Sequence, residues 1–231
     1  MIRFSILGFK GGVGKSTIAL LLSMELAKRY KVTLVDRDNL STISKLFGLK
    51  NGLINWIQDR GEENFVAARG NLKVLNMINF SSGVKLPDLS EMASVYKKIL
   101  DDTEIMITDN PPSLDEFCEL EFKAYRMATG EAHCNSIFVT TPGLPLKITL
   151  QHMNEVPKVL KSWVPDIKYF KMVAFIINMV RGEVEDVPVS KKVMIPFHPE
   201  LLYSGLRLDS KLDEIKQLVE LVERQIELSL S

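Results

Sequence analysis

The sequence predicts an α/β fold, a single domain (residues 1–231) on a twisted, mostly parallel sheet with helices on both faces. Three observations predict it. A glycine-rich stretch, Gly8 to Gly14, joins an apolar run to a segment of helical periodicity. Two later apolar runs end in carboxylates, Asp36 and Asp109, and the carboxyl ends of parallel strands are where ligands gather. At 231 residues the chain is long enough to bury most of its apolar surface around one core.

Ile2 to Leu7 alternates loosely and stops at Gly8, as a buried strand does, and Thr17 to Tyr30 carries Ile18, Leu21, Leu22 and Leu26 at helical spacing. Between them runs Phe9-Lys10-Gly11-Gly12-Val13-Gly14-Lys15-Ser16-Thr17. In a strand-to-helix turn, residues without Cβ let backbone N–H groups point inward at an anion, and the helix adds its positive N-terminal end. The stretch therefore reads as a phosphate cradle, and its natural guest is a polyphosphate. The motif assigns Lys15 to the β- and γ-phosphates and the Ser16 hydroxyl to Mg²⁺. A second lysine on so tight a loop, Lys10, suffers like-charge repulsion unless an anion bridges both.

The generic loop has glycine where this chain has Phe9. Lys-Gly-Gly-Val-Gly-Lys-Ser-Thr instead resembles the deviant Walker A motif of the ParA/MinD ATPases, in which the early lysine crosses a dimer interface to the partner's nucleotide. The resemblance implies a P-loop NTPase fold of the deviant Walker A type, with Lys10 as the signature lysine. It implies that Gly11, Gly12, Val13, Gly14, Lys15, Ser16 and Thr17 bind ATP, and that ATP brings two copies together as a homodimer.

After the first helix, Val32 to Val35 is a short strand delivering Asp36-Arg37-Asp38. By the resemblance this is switch I: Asp38 orients the attacking water and Asp36 lies near the metal. The family segment continues Pro-Gln-Gly-Asn, where this chain has Asn39-Leu40-Ser41-Thr42. Residues 42–104 read as connecting architecture. Ile43 to Leu46, Leu53 to Gln58 and Glu63 to Ala68 are expected as short helices, Leu72 to Leu75 as a strand, and Leu89 to Leu100 as an amphipathic helix after Pro87. Trp56 is expected to pack rather than stack on a base.

Ile105-Met106-Ile107-Thr108 ends in Asp109-Asn110-Pro111-Pro112. A carboxylate at a strand end, followed by a rigid turn, is how a Walker B Asp is presented to a Mg²⁺ shell. Asp-x-Pro-Pro also resembles the family's switch II, whose backbone senses the γ-phosphate. Leu114 to Ala128 forms a helix ended by Thr129-Gly130, with Cys118 on it and Cys134 in the loop after it. Ser136 to Thr140 is a strand, and Leu146 to Leu160 a helix interrupted or ended near Pro157. Met172 to Ile177 is a strand running into Asn178, and a strand from Val193 leads into Ile195-Pro196-Phe197. The resemblance implies that Asn178 reads the adenine edge and that Pro196 and Phe197 wall the base; an amide that donates and accepts together suits adenine. His198 reads as a surface turn residue. Leu208 to Leu230 repeats Leu212, Ile215, Val219, Val222 and Ile226 as the stripe of a terminal helix.

Lys+Arg and Asp+Glu are both 29, so overall charge gives no attraction to DNA or anionic membrane, and any such binding must come from a local patch. Residues 147–192 supply one candidate, eight Lys/Arg against five acids. Two cysteines without Cys-x-x-Cys spacing make neither a disulfide framework nor a metal site, so Cys118 and Cys134 are expected as buried or partly buried free thiols. No run is long enough to span a membrane and the chain enters a strand at once, so a cytoplasmic protein is expected, nucleoid-associated if it binds DNA. In the terminal stretch Asp213, Glu214, Glu220, Glu223 and Glu227 outnumber Lys211, Lys216 and Arg224, a poor polar face for anionic lipid.

The expected function is a ParA-like ATPase switch acting in DNA partitioning, whose ATP dimer binds double-stranded DNA without sequence preference. Lys15 and the partner's Lys10 would offset phosphate charge, Ser16, Asp109 and Asp36 would serve Mg²⁺, and Asp38 would orient water. Turnover would be slow without a stimulating partner of ParB-like role. The alternative is a MinD-like membrane-associated positioning ATPase without stable membrane insertion, and behind it a metal-cluster or protein-targeting carrier.

Overall fold

The computed structural model of the chain describes residues 1–38 and 40–230. Asn39, where the departure from the family's switch I segment begins, lies outside the described residues, as does Ser231. The chain opens with β1 (Ile2–Leu7), passes through the glycine-rich loop into α1 (Lys15–Leu26) and returns as β2 (Val32–Asp36). Short helices α2 (Thr42–Leu46) and α3 (Leu53–Asp59) lead to a hairpin of β3 (Val66–Arg69) and β4 (Leu72–Asn76), and α4 (Leu89–Leu100) leads to β5 (Ile105–Asp109). There follow α5 (Glu116–Thr129), β6 (Cys134–Thr140), α6 (Leu144–His152), α7 (Val156–Trp163), β7 (Phe170–Val180) and β8 (Lys192–Pro196). Last come α8 (Pro199–Ser204) and α9 (Ile215–Leu230).

The strands form one sheet in the order β3-β4-β2-β5-β1-β6-β7-β8. Every pairing is parallel except β3 with β4. The expected α/β architecture is present. Parallel pairing sends the carboxyl ends of β1, β2 and β5 to one edge of the sheet, so the glycine-rich loop, Asp36 and Asp109 meet there.

The faces of β1 show how the layers are divided. Ile2, Phe4 and Ile6 join a core with Ile18, Leu22, Leu218 and Val222 of α1 and α9, whereas Leu7 joins the opposite core with Phe122 of α5 and Tyr96 of α4. Arg3 and Ser5 share the side of Leu7, so a buried strand that alternates loosely in sequence carries polar side chains beneath α5. Two aspartates set helix starts: Asp88 accepts from the Glu91 N–H at 3.0 Å, and Asp115 accepts from the Cys118 N–H at 2.9 Å.

Five expectations are corrected. Residues 63–68 are not helical: Val66–Arg69 pairs antiparallel with β4, because the free edge of β4 and the two-residue Gly70-Asn71 turn, with Gly70 at φ +60°, outweigh the helix propensity of Ala67 and Ala68. The first helix begins at Lys15 and stops at Leu26, with residues 27–30 in turns. The break expected near Pro157 is present: the segment over 146–160 is two helices, and Pro157 lies in the first turn of α7, where a missing N–H costs nothing. Cys134 opens β6 rather than sitting in a loop, and the terminal helix begins at Ile215, not Leu208. His198 stands at the start of α8, a short helix that the reading from sequence missed.

No described helix is long and apolar enough to cross a membrane. Leu218 of α9 is fully buried in the core shared with α1. Leu218→Ala is expected to destabilise the chain by about 2–5 kcal/mol, read as a lower urea midpoint with an unchanged slope.

Candidate functional site

The loop after β1 is held open by close packing beneath it. Gly14 has φ +95°, and a Cβ there would lie 2.2 Å from Asn178 Nδ2, so no side chain fits. Asn178 is brought to this place by an irregularity in the β7–β8 pairing between Ile177 and Val180, where Met179 takes φ +58°. Its Nδ2 donates to the Val13 carbonyl at 2.9 Å. Phe9, standing where the generic loop has glycine, packs its ring 6.3 Å from Phe138 and 5.7 Å from His152.

At its far end the loop enters α1 with no side-chain cap and no acidic residue in the first turn. The free N–H groups and the helix dipole are therefore left to an outside anion. Lys10, Gly11 and Gly12 are exposed, Ser16 and Thr17 half-buried, and Lys15 buried. Lys15 Nζ donates to the Lys10 carbonyl at 3.4 Å. Burial lowers the pKa of Lys15, while Asp109 and Asp38 pull it back up.

Asp36 and Asp109 are register partners on β2 and β5, and both are fully buried. Asp36 is satisfied: its Oδ2 accepts from the Ser44 N–H at 2.8 Å and hydroxyl at 2.7 Å, and its Oδ1 from the Asp38 N–H at 3.2 Å. Asp109 is not, since neither carboxylate oxygen has a hydrogen-bond partner among the described residues. Burial, reinforced by Asp36, pushes its carboxyl up to about 8 against the pull of Ser16 and Lys15. Burial also raises Asp36, opposed by Ser44. Asp38 is half-buried and accepts from the Thr42 hydroxyl at 3.4 Å. Next to Asp109, Asn110 Nδ2 donates to the Ile6 carbonyl at 2.8 Å and fixes the start of the Pro-Pro turn to β1.

On the other side of the loop lies a cleft of about 550 Å³, whose lining includes Lys10, Gly12, Val13, Pro142, Arg181 and Phe197. The Arg181 guanidinium covers the Phe197 ring at 3.7 Å, and the Phe197 N–H donates to the Val180 carbonyl at 2.9 Å. Phe197 thus lies in the cleft lining beside the loop. Pro196 is exposed at the end of β8 and does not line the cleft, and Asn178 lies beneath the loop rather than in the open.

Reading the sequence missed a buried charged centre close by. Glu121 of α5 accepts from Arg3 at 2.7 and 3.1 Å, from Arg37 at 2.6 Å and from the Tyr96 hydroxyl at 2.7 Å. Arg3 lies 4.8 Å from the centroids of both the Phe122 and Tyr125 rings. The available signals were a lone arginine inside an apolar strand and a glutamate among the apolar positions of α5. Both cysteines are free and buried, with burial pushing Cys118 up to about 11 and raising Cys134. Trp56 packs 5.2 Å from Phe65.

A parallel sheet flanked by helices, with this loop between its first strand and an uncapped helix, defines a phosphate-loop α/β domain. Residues 4–222 match the model of the CobQ/CobB/MinD/ParA nucleotide binding domain, and the chain belongs to that family. An uncharacterized ATP-binding protein of Methanocaldococcus jannaschii is 26% identical over 273 aligned residues, covering 96% of this chain and 100% of that protein. The septum site-determining protein MinD of Pyrococcus horikoshii OT3, complexed with Mg-ADP, superposes with a TM-score of 0.64 at 22% identity, covering 99% of this chain and 97% of its own. A protein of Borrelia burgdorferi B31 described as a plasmid partition protein, bound to AMPPNP, gives a TM-score of 0.63 at 17% identity over 100% and 99% of the two chains.

The raised carboxyl of Asp109 has a consequence for stability. A group whose folded pKa lies above its ordinary value of 3.8 stabilises the fold fully below that value, and the contribution is lost as pH rises through about 8. Without added metal, Asp109→Asn is expected to be more stable than the parent at pH 8.5 by on the order of a few kcal/mol. The gap should close toward pH 4, as followed by urea unfolding across that range.

Proposed function

We propose that the chain is an ATP-hydrolysing switch that dimerises on binding ATP. The observation that carries this reading is Asp109, a fully buried carboxyl group whose two oxygens have no hydrogen-bond partner among the described residues, at a strand end beside Lys15 and the loop. Such an orphaned pair of oxygens fits a divalent cation's hydration shell. Among the described residues no group of three or more His, Cys, Asp or Glu converges on a metal position. That donor set suits Mg²⁺, which binds through one or two protein groups and completes its shell with phosphate and water.

Bound Mg²⁺ supplies neutralisation of phosphate charge as it develops during hydrolysis. The chain's own groups do the rest. N–H groups of Gly11 to Thr17 donate to phosphate oxygens, and Lys15, already drawn toward Asp109, reaches the terminal phosphates. The Ser16 hydroxyl and Asp109 hold the cation, with Asp36 behind them. Asp38, half-buried on the turn after β2, accepts a hydrogen bond from the attacking water and so orients it. Lys10 is exposed, and its side chain has no hydrogen bond or ion pair among the described residues, which leaves it free to reach the partner subunit's nucleotide. Asn178, with its Nδ2 on Val13, keeps Oδ1 to accept from the adenine amino group, and Phe197, which lines the cleft, walls the base.

The surface we assign to the ATP dimer is double-stranded DNA, in a partitioning role with a stimulating partner protein. Its support is Lys147 of α6 and Lys161 of α7, both exposed and without an ion pair among the described residues. Elsewhere in the basic stretch Lys158, Lys168 and Lys192 are matched by Glu155, Glu131 and Asp186. A membrane surface has less support, because α9 spends Leu218, Val222 and Ile226 on the core and its charges are mainly acidic.

Lys10→Ala is expected to abolish ATP-dependent dimerisation in sedimentation velocity while nucleotide binding persists; a variant that dimerises normally refutes the crossed lysine. Asp38→Ala should hold the ATP dimer and stop turnover, and unaltered phosphate release would move the water-orienting role elsewhere. Binding to random duplex DNA should require ATP and Lys10 and weaken steeply with salt. An ATP dimer that ignores DNA would leave Lys147 and Lys161 as solvated surface and overturn the DNA assignment.

A further inference from the structure

The polar side chains in the lining of the cleft beside the phosphate loop are Lys10, Thr141, Arg181 and Glu183. Asn178 stands back from that lining, beneath the loop, with its Nδ2 on the Val13 carbonyl. The edge of a base in this cleft is therefore met at the wall by Arg181 and Glu183.

Arg181 is held at the end of the cleft where Phe197 stands. Its guanidinium carbon lies 3.7 Å from the centroid of the Phe197 ring, and the Phe197 N–H donates to the Val180 carbonyl at 2.9 Å, so ring and guanidinium are fixed to the end of β7 together. A separation of one atomic layer leaves no room for a base between them. A guanidinium this close to an aromatic ring gives the ring its face and keeps its N–H edge for a ligand. Arg181 is exposed, and its side chain has no hydrogen bond or ion pair among the described residues, so those donors are unengaged.

Glu183 is likewise exposed and without an ion pair among the described residues, and at Gly182 between them an added Cβ would meet open space. An acid and a base that line one cleft without bonding each other present a donor group and an acceptor group to whatever enters. That set matches guanine. Guanine offers two neighbouring acceptors, O6 and N7, which a guanidinium fork takes together, and beyond O6 it offers N1–H and the 2-amino group, which a carboxylate accepts. Adenine carries an amino group in place of O6, so on that edge it gives Arg181 only N7, while its amino group suits an acceptor such as Asn178 Oδ1. The cleft serves both purines, each through different residues.

We propose that Arg181 and Glu183 make the base cleft take guanine as well as adenine nucleotides, the Arg181 fork donating to guanine O6 and N7 and the Glu183 carboxylate accepting from N1–H and the 2-amino group. The inference rests on the nucleotide-switch reading above.

The test is calorimetric titration of the full chain, with Mg²⁺, by the non-hydrolysable nucleotides AMPPNP and GMPPNP. Both are expected to bind the parent, with dissociation constants within about tenfold of each other. Arg181→Gln removes the fork and supplies an amide suited to adenine, so the affinity for GMPPNP relative to AMPPNP should fall by more than about fivefold. Arg181→Lys keeps donors for O6 and N7 and should hold the ratio within that range. Glu183→Ala should lower it in the same direction as Arg181→Gln. A difference of more than about tenfold between the two nucleotides in the parent overturns the proposal. So does a ratio left in place by either Arg181→Gln or Glu183→Ala, as equal losses for both nucleotides would leave it if Arg181 acted only as a charge near phosphate. Failure of the parent to bind either nucleotide is a separate result, and it overturns the switch reading itself.

Discussion

One buried carboxylate organises the centre of this molecule. Glu121 is fully buried, and it gathers Arg3 from the central strand, Arg37 from the turn after β2 and Tyr96 from α4. Burial alone works against its ionised form, but Arg3 and Arg37 hold it below the usual carboxylate range. Without that centre, β1 could not carry Arg3 and Ser5 on a face covered by a helix, because buried polar groups need partners. The contact fixes α5 over β1. It thereby sets where the turn from Asp109 to Pro112 leaves the sheet.

The phosphate side of the sheet is built on the opposite terms. There Lys15 is buried with a long bond to the Lys10 carbonyl, and neither oxygen of buried Asp109 has a hydrogen-bond partner among the described residues. Two incompletely satisfied buried polar groups, placed next to a helix end without a cap, cost stability. A polyphosphate with its cation answers all three at once, and local frustration of this kind concentrates at functional sites. The fold tolerates the cost because the surrounding strands are buried on both faces and register Asp109 directly beside Asp36.

Much of this was legible in the residues themselves. The glycine spacing, the lysine pair and the carboxylates closing two apolar runs located the loop, Asp36, Asp38 and Asp109, because those features depend on local chain geometry. What was not legible depends on distant packing. Val66–Arg69 became a strand because β4 offered it an edge, and Asn178 turned to Val13 because of an irregularity two strands away from β1 in the sheet. The Glu121 centre joins residues 118, 84 and 25 positions apart, and no sequence period connects them. Phe9 was visible as a departure from the generic loop, but its reason, packing on Phe138 and His152, lay in elements not yet made at that point of the chain.

The placement of α9 bears on how the molecule is made. α1, the helix that carries Lys15 and Ser16, packs Ile18, Leu21 and Leu22 into the core that α9 completes, and Tyr30 just beyond it meets Glu223 across 193 residues. During synthesis the outer side of α1 stays uncovered until α9, made far later, has left the ribosome. The loop is therefore made well before the helix that seats its support, so a nascent chain carries the phosphate-binding signature long before it has the rigid frame to use it.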